Sequence, residues 1–153
     1  MSTEQLKVYR LAVCLFPDVT PLDYQGPIEL LGGFSTANQA RWGHLYKNLP
    51  KCTIDPEYLS HTHEPVKPMT GPAVVPTMTY AEALERKDGK EFDIILIPGG
   101  PSPNPGLADP SLMDGSWLLA GTGLLTGKRA TTNKSMYRMI VEDTKEFNVT
   151  WVP

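Results

Sequence analysis

Apolar and polar positions along the chain follow two regimes. Residues 8–16 (VYRLAVCLF) are almost all apolar in their second half, and residues 92–97 (FDIILI) are apolar after the first two. Short unbroken apolar runs of this kind suit strands buried on both faces of a parallel sheet. Other segments have helical spacing. Residues 23–37 carry Pro27 early and then apolar Ile28, Leu30, Leu31 and Phe34, which predicts a helix from about Gln25, loosened at Gly32 and Gly33. Residues 79–87 (TYAEALERK) predict a short helix with Thr79 as N-cap and Glu82 completing a capping box. Residues 134–143 predict another helix.

The remaining segments are weaker. Residues 52–60 read as a second strand, which Pro56 makes an edge strand or a broken one. The Pro-rich stretch 61–76 holds a candidate hairpin around residues 73–75. Residues 41–50 match no element and read as an insertion. Residues 102–106 read as a loop, and Asp109 with Pro110 reads as the start of a helix that ends at Asp114 and Gly115. Residues 117–125 have a helical pattern broken by Gly121 and Gly123, and residues 128–132 and 148–152 suit short strands. Strands alternating with helices imply an α/β fold, mainly parallel, with helices on both faces. The length of 153 residues predicts a single domain.

Composition narrows the function classes. Fourteen basic against 17 acidic residues give a net charge of −3, and the basic residues do not cluster, which argues against a nucleic-acid partner. No run of 18 apolar residues exists, so no membrane-spanning helix is expected. The first ten residues, MSTEQLKVYR, lack the apolar stretch of a secretory leader. Cys14 and Cys52 make no disulfide framework, and a reducing, cytoplasmic setting is expected.

Three short motifs are candidates for chemistry. Asp23, just after the first strand, stands at the carboxyl edge of the sheet, where open α/β proteins place their sites. Walled by apolar neighbours it would stay protonated near neutrality and act as a general acid; alternatively it caps the helix that follows. Gly99 and Gly100 end the second buried strand and would let backbone N–H groups approach a developing negative charge; alternatively they form a turn needing positive φ. Residues 123–133 (GLLTGKRATTN) read locally as helix end, turn and strand. Among other groups, Cys14 reads as a buried structural thiol. Cys52 follows Lys51 and is a candidate nucleophile with nothing to place it near Asp23. Ser116 lacks a preceding strand to make a nucleophile elbow. His61 and His63 lack a third ligand for a metal, and His44 is isolated.

Taken in order, these motifs resemble the ThiJ/PfpI superfamily, within the class I glutamine-amidotransferase-like fold, and in particular its isocyanide-hydratase-like members. Phe16 and Pro17, Leu22 and Asp23 with Gly26 and Pro27, Pro98 with Gly99 and Gly100, Gly123 to Leu125 with Gly127, and Arg129 to Thr132 match that pattern, which covers about residues 8–153. The resemblance implies a flavodoxin-like sheet, a homodimer, a small-molecule ligand, and no metal or organic cofactor. It also implies cysteine-dependent chemistry such as hydration of an isocyanide to an N-formamide. There Asp23 would shuttle a proton, and Gly99, Gly100 and Gly115 would line the pocket that supports charge. In the family the nucleophile is the Cys of a V-C-T-G elbow. Here Gly115 and Ser116 match the residues that follow that Cys and its Thr, while residues 111–114 match an earlier helix. A block of roughly 20 residues at ordinary element lengths, holding the central strand and the Cys, is therefore expected to be deleted near 114/115. The chain also stops before the family's closing elements. The expectation is a truncated, catalytically inactive relative, a pseudoenzyme. The alternatives are a non-catalytic binding or regulatory module, a product with no function, and an enzyme that uses Cys52.

Overall fold

The computed structural model describes residues 6–86, 91–100 and 115–153. Four parallel strands, β1 (Lys7–Cys14), β2 (Cys52–Ser60), β3 (Met78–Thr79) and β4 (Ile94–Leu96), form one sheet in the order β3-β2-β1-β4. A second, two-stranded parallel sheet pairs β5 (Arg129–Ala130) with β6 (Thr150–Trp151). The helices are α1 (Pro21–Leu31), α2 (Thr36–Trp42), α3 (Tyr80–Glu85), α4 (Gly115–Gly121) and α5 (Tyr137–Asp143).

Alternation along β1 builds the two layers around the larger sheet. Leu11, Val13 and Leu15 are fully buried and cluster with Val19 and with Tyr24, Ile28 and Leu31 of α1. On the opposite face, Arg10 pairs with Glu57, which also holds Arg86 at the end of α3, and Cys14 lies beside Tyr80 of α3. The fold is the α/β architecture that the apolar runs predict.

Several elements differ from expectation for identifiable reasons. The first helix starts at Pro21, not Gln25, because Pro21 takes the first helical position, where a missing N–H costs nothing. Pro27 sits inside that helix. Gly32 begins a short 3-10 turn, and α2 follows, capped by Ser35, whose side chain accepts from the Asn38 amide. The segment that matched no element is thus the end of α2 and a second 3-10 turn, Gly43–Leu45. Strand β2 is unbroken, and at Pro56 its outer side is an edge. Tyr58 exchanges hydrogen bonds with Thr77 on the β3 side, so by alternation the nitrogen of Pro56 faces that side too. There β3 reaches only Leu59 and Ser60, and no ladder bond to β1 is lost. The capping box at Thr79 and Glu82 is present. An antiparallel bridge of Val66 with Val74 forms at the expected hairpin. Strands β4, β5 and β6 are shorter than the segments expected to form them. The predicted loop at 102–106 and the helix start at Asp109 lie outside the described residues.

Among the described residues, β4 pairs with β1 alone and β5 with β6 alone, so the strands fall into two sheets. Helix α4 touches both. Gly115 packs so tightly on the end of β4 that a Cβ there would lie 2.1 Å from the Ile97 carbonyl oxygen. Its neighbour Ser116 donates from Oγ to Thr132 Oγ1 at 2.7 Å, just beyond β5. Trp117, Ala120 and Ile140 are buried on α4 and α5. Trp151 of β6 donates from Nε1 to Thr144 Oγ1 at 2.8 Å.

Candidate functional site

The carboxyl edge of the larger sheet carries the site residues. The loop from Leu15 to Thr20 leaves β1 and meets the turn after β4 in a two-point contact. The Thr20 amide donates to the Gly99 carbonyl at 2.9 Å, and the Gly99 amide donates to Asp23 Oδ2 at 3.0 Å. Asp23 does not cap its own helix. The N-cap is Thr20, with no side-chain capping bond, and Asp23 sits in the first turn, where a carboxylate also complements the helix dipole. Nor is it walled in by apolar groups: Asp23 is exposed, and its neighbour Leu22 is 76% exposed.

Pro98, Gly99 and Gly100 are buried. What requires glycine at position 100 is close approach. A Cβ there would lie 2.8 Å from Phe16 Cε2, 3.0 Å from the Asp18 carbonyl oxygen and 3.1 Å from Val19 Cα. Gly115 closes on Ile97 and Pro98 from the far side. The structure therefore brings Asp23, Gly99, Gly100 and Gly115 around one turn. It also shows a feature the motif did not reveal: the Gly99 amide is already committed to Asp23, so it is free for a ligand only if that carboxylate moves.

The two cysteines stand elsewhere. Cys52 pairs with Lys7 at the amino end of the sheet, whereas Cys14 pairs with Leu59 at the carboxyl end. Seven residues of strand, about 23 Å at ~3.3 Å per residue, separate the two levels, so Cys52 does not serve the Asp23 edge. Cys14 is at the right edge but on the face opposite the α1 cluster. Burial pushes its thiol up, against the lowering effect of the Tyr80 hydroxyl beside it. The Tyr80 hydroxyl is itself raised by burial and by Cys14, and it donates to the Leu15 carbonyl at 2.9 Å. A thiol held protonated in this way is a poor nucleophile.

Two of the three histidines have structural partners. The His61 ring meets Tyr80 edge-on at 5.0 Å between centroids, and His63 Nε2 lies 3.0 Å from Glu82 Oε2. Hydrogen bonds from the Thr79 backbone first, then from His63 and the Thr79 hydroxyl, pull the Glu82 carboxyl down to about 2. Among the described residues no three His, Cys, Asp or Glu side chains converge as a metal would need, and no helix is long and apolar enough to cross a membrane.

No family model matches the chain. A ThiJ/PfpI family protein from Pseudomonas syringae shares its fold with a TM-score of 0.62, over 97% of this chain and 58% of that one, at 19% identity. This α/β layering is similar to that of the ThiJ/PfpI fold. In sequence the chain is similar to the isonitrile hydratase of Pseudomonas putida, at 28% identity over 86% of this chain and 55% of that protein. The chain thus spans little more than half the length of either relative.

Proposed function

We propose that this chain is a small-molecule-binding ThiJ/PfpI domain that lacks the family's cysteine chemistry, its ligand being taken at the turn where Asp23 meets Gly99. The observation that carries the reading is the position of the thiols. Cys52 is at the wrong end of the sheet, and Cys14 is turned to Tyr80 and held protonated. An elbow cysteine would instead gain thiolate character from a helix N-terminus. In this reading a block is deleted near 114/115. Two features support it: the division between β4 and β5, and the direct seating of Gly115 on Ile97. The relative's printed activity suggests an isonitrile as the ligand to try first. The test pairs turnover with binding on the purified chain. No N-formamide is expected from an alkyl isonitrile beyond a Cys14→Ser, Cys52→Ser control, while amide resonances of Gly99 and Asp23 shift with saturation. Turnover abolished by Cys14→Ser would overturn the inactive reading, and an unchanged Gly99 resonance would overturn the binding site.

A second reading is favoured by one observation. Ile95 on β4 is 55% exposed, unusual for a strand written as a buried one. On this reading the chain is a product whose sheet is not completed and which has no function in this form. A cooperative thermal transition with fixed near-ultraviolet signals from Trp117 and Trp151 would exclude it, and a broad one would favour it.

A further inference from the structure

The two-stranded sheet has a carboxyl edge of its own. Chain leaving β5 passes through Thr132 and Asn133 to Lys134, and chain leaving β6 runs through Val152 to Pro153. Between them lies a cavity of about 420 Å³ lined by Lys134, Tyr137, Arg138 and Pro153. Tyr137 is pinned as one wall, because its hydroxyl donates to the Trp151 carbonyl at 3.1 Å. Lys134 and Arg138 are four residues apart, a spacing that puts two side chains on one face as the segment winds into α5.

Many of the other described cations are engaged: Arg10 and Arg86 with Glu57, Lys145 with Glu142, Lys67 and Lys128 with carbonyls, Lys7 and Arg41 with aromatic rings. Among the described residues, Lys134 and Arg138 have no carboxylate within ion-pair distance and no hydrogen-bond acceptor, and both face the same cavity. The two cations outnumber the single α-carboxylate that Pro153 carries as the last residue of this sequence. The cavity also lies outside the carboxyl ends of parallel strands, where open α/β folds bind ligands.

We propose that this cavity binds a compact oxyanion, the phosphate or carboxylate group of a small molecule. The Arg138 guanidinium supplies a planar fork for two oxygens and the Lys134 ammonium a point charge. The proposal does not depend on the reading of the Asp23 turn.

The test is a titration of the isotope-labelled chain with inorganic phosphate and, separately, with acetate, at constant ionic strength set by chloride. The expected result is saturable movement of the Lys134 to Arg138 amides at millimolar ligand. In a Lys134→Ala, Arg138→Ala variant the affinity should fall by about tenfold or more, as expected for loss of charge-assisted contacts, while Lys47→Ala leaves it unchanged. Saturation by phosphate alone assigns a phosphate-bearing ligand. Saturation by acetate as well assigns a carboxylate-tolerant one. Linear, unsaturable movement with both anions, or the same response in the double variant, overturns the site. Both side chains are exposed, so the double variant should keep the wild-type melting profile, which is checked alongside.

Discussion

Gly115 and Gly121 stand at opposite ends of α4 and predict opposite outcomes for the same substitution. At Gly115 a Cβ would lie 2.1 Å from the Ile97 oxygen, a backbone atom that cannot step aside, whereas at Gly121 nothing lies within 4 Å. Gly115→Ala should therefore destabilise the chain by about 1–3 kcal/mol through overpacking. Gly121→Ala should be neutral or stabilising by up to about 1 kcal/mol, since it only restricts the unfolded chain and favours the helix. Urea unfolding of the two variants checks both. Asp23 gives a second residue-scale expectation. Asp23→Ala leaves the buried Gly99 amide without its acceptor, at a cost of about 1–3 kcal/mol. Asp23→Asn keeps an oxygen in place and should cost less, so equal losses would mean that the Asp23–Gly99 bond contributes little. None of this was legible in the residues alone. The sequence marked Asp23 and Gly99 separately, but the partner of a side chain 76 positions away is set by how β1 and β4 lie side by side.

At the scale of the element, α3 carries its own pH dependence. Glu82 is held at about 2, below its ordinary value of 4.5, by Thr79 and His63. A depressed carboxylate contributes stability that is fully present above the unfolded value and is lost as pH falls through the folded one. Fraying of α3 should therefore set in between about pH 4.5 and 2, read as faster amide exchange at Glu82 and its neighbours, and Glu82→Gln should remove that dependence. This helix was fully readable because a capping box is local: the donor and acceptor are three residues apart. The same holds for β1 and the Val66–Val74 bridge. For β2 the edge and broken alternatives stayed open in the sequence, because the effect of Pro56 depends on which neighbour its nitrogen faces, and that is a property of the sheet. The start of α1 lies before the expected Gln25 because Pro21, as well as Pro27, suits an early helical position. The segment 41–50 was unreadable because a 3-10 turn has no hydrophobic period of its own to announce it.

For the whole molecule, the decisive feature is the separation of β1 to β4 from β5 and β6. The larger sheet has a connected core of Leu11, Val13, Leu15, Val19, Tyr24 and Val66. The smaller sheet is held by ladder bonds at Gly127, Thr150 and Val152 and by the side chains around Trp117, Ile140 and Trp151. Units with little shared apolar contact open independently. The amides of Thr150 and Val152 should thus exchange at least about tenfold faster than those of Leu11 and Val13 under native conditions. Equal protection would mean that α4 couples the sheets into one cooperative unit. The apolar runs and the ordered motifs made the α/β layering legible across nearly the whole chain. The division of the sheet was not legible, because pairing between distant strands leaves no mark on either strand's own pattern.

Pro56 has a consequence for how copies of this protein behave toward one another. The outward side of β2 runs well past the two residues of β3 and would offer a foreign strand a row of hydrogen-bonding groups to copy. That row is spoiled along its length. The Cys52 carbonyl is taken by the Gln39 side chain, Tyr58 is taken by Thr77, and between them Pro56 has no hydrogen to give. A strand arriving at this border finds no continuous template, so Pro56 serves as a gatekeeper against edge-to-edge aggregation. Replacing it with valine, a strand-forming residue with an N–H, should leave the fold in place while raising the rate of fibril formation, followed by thioflavin fluorescence.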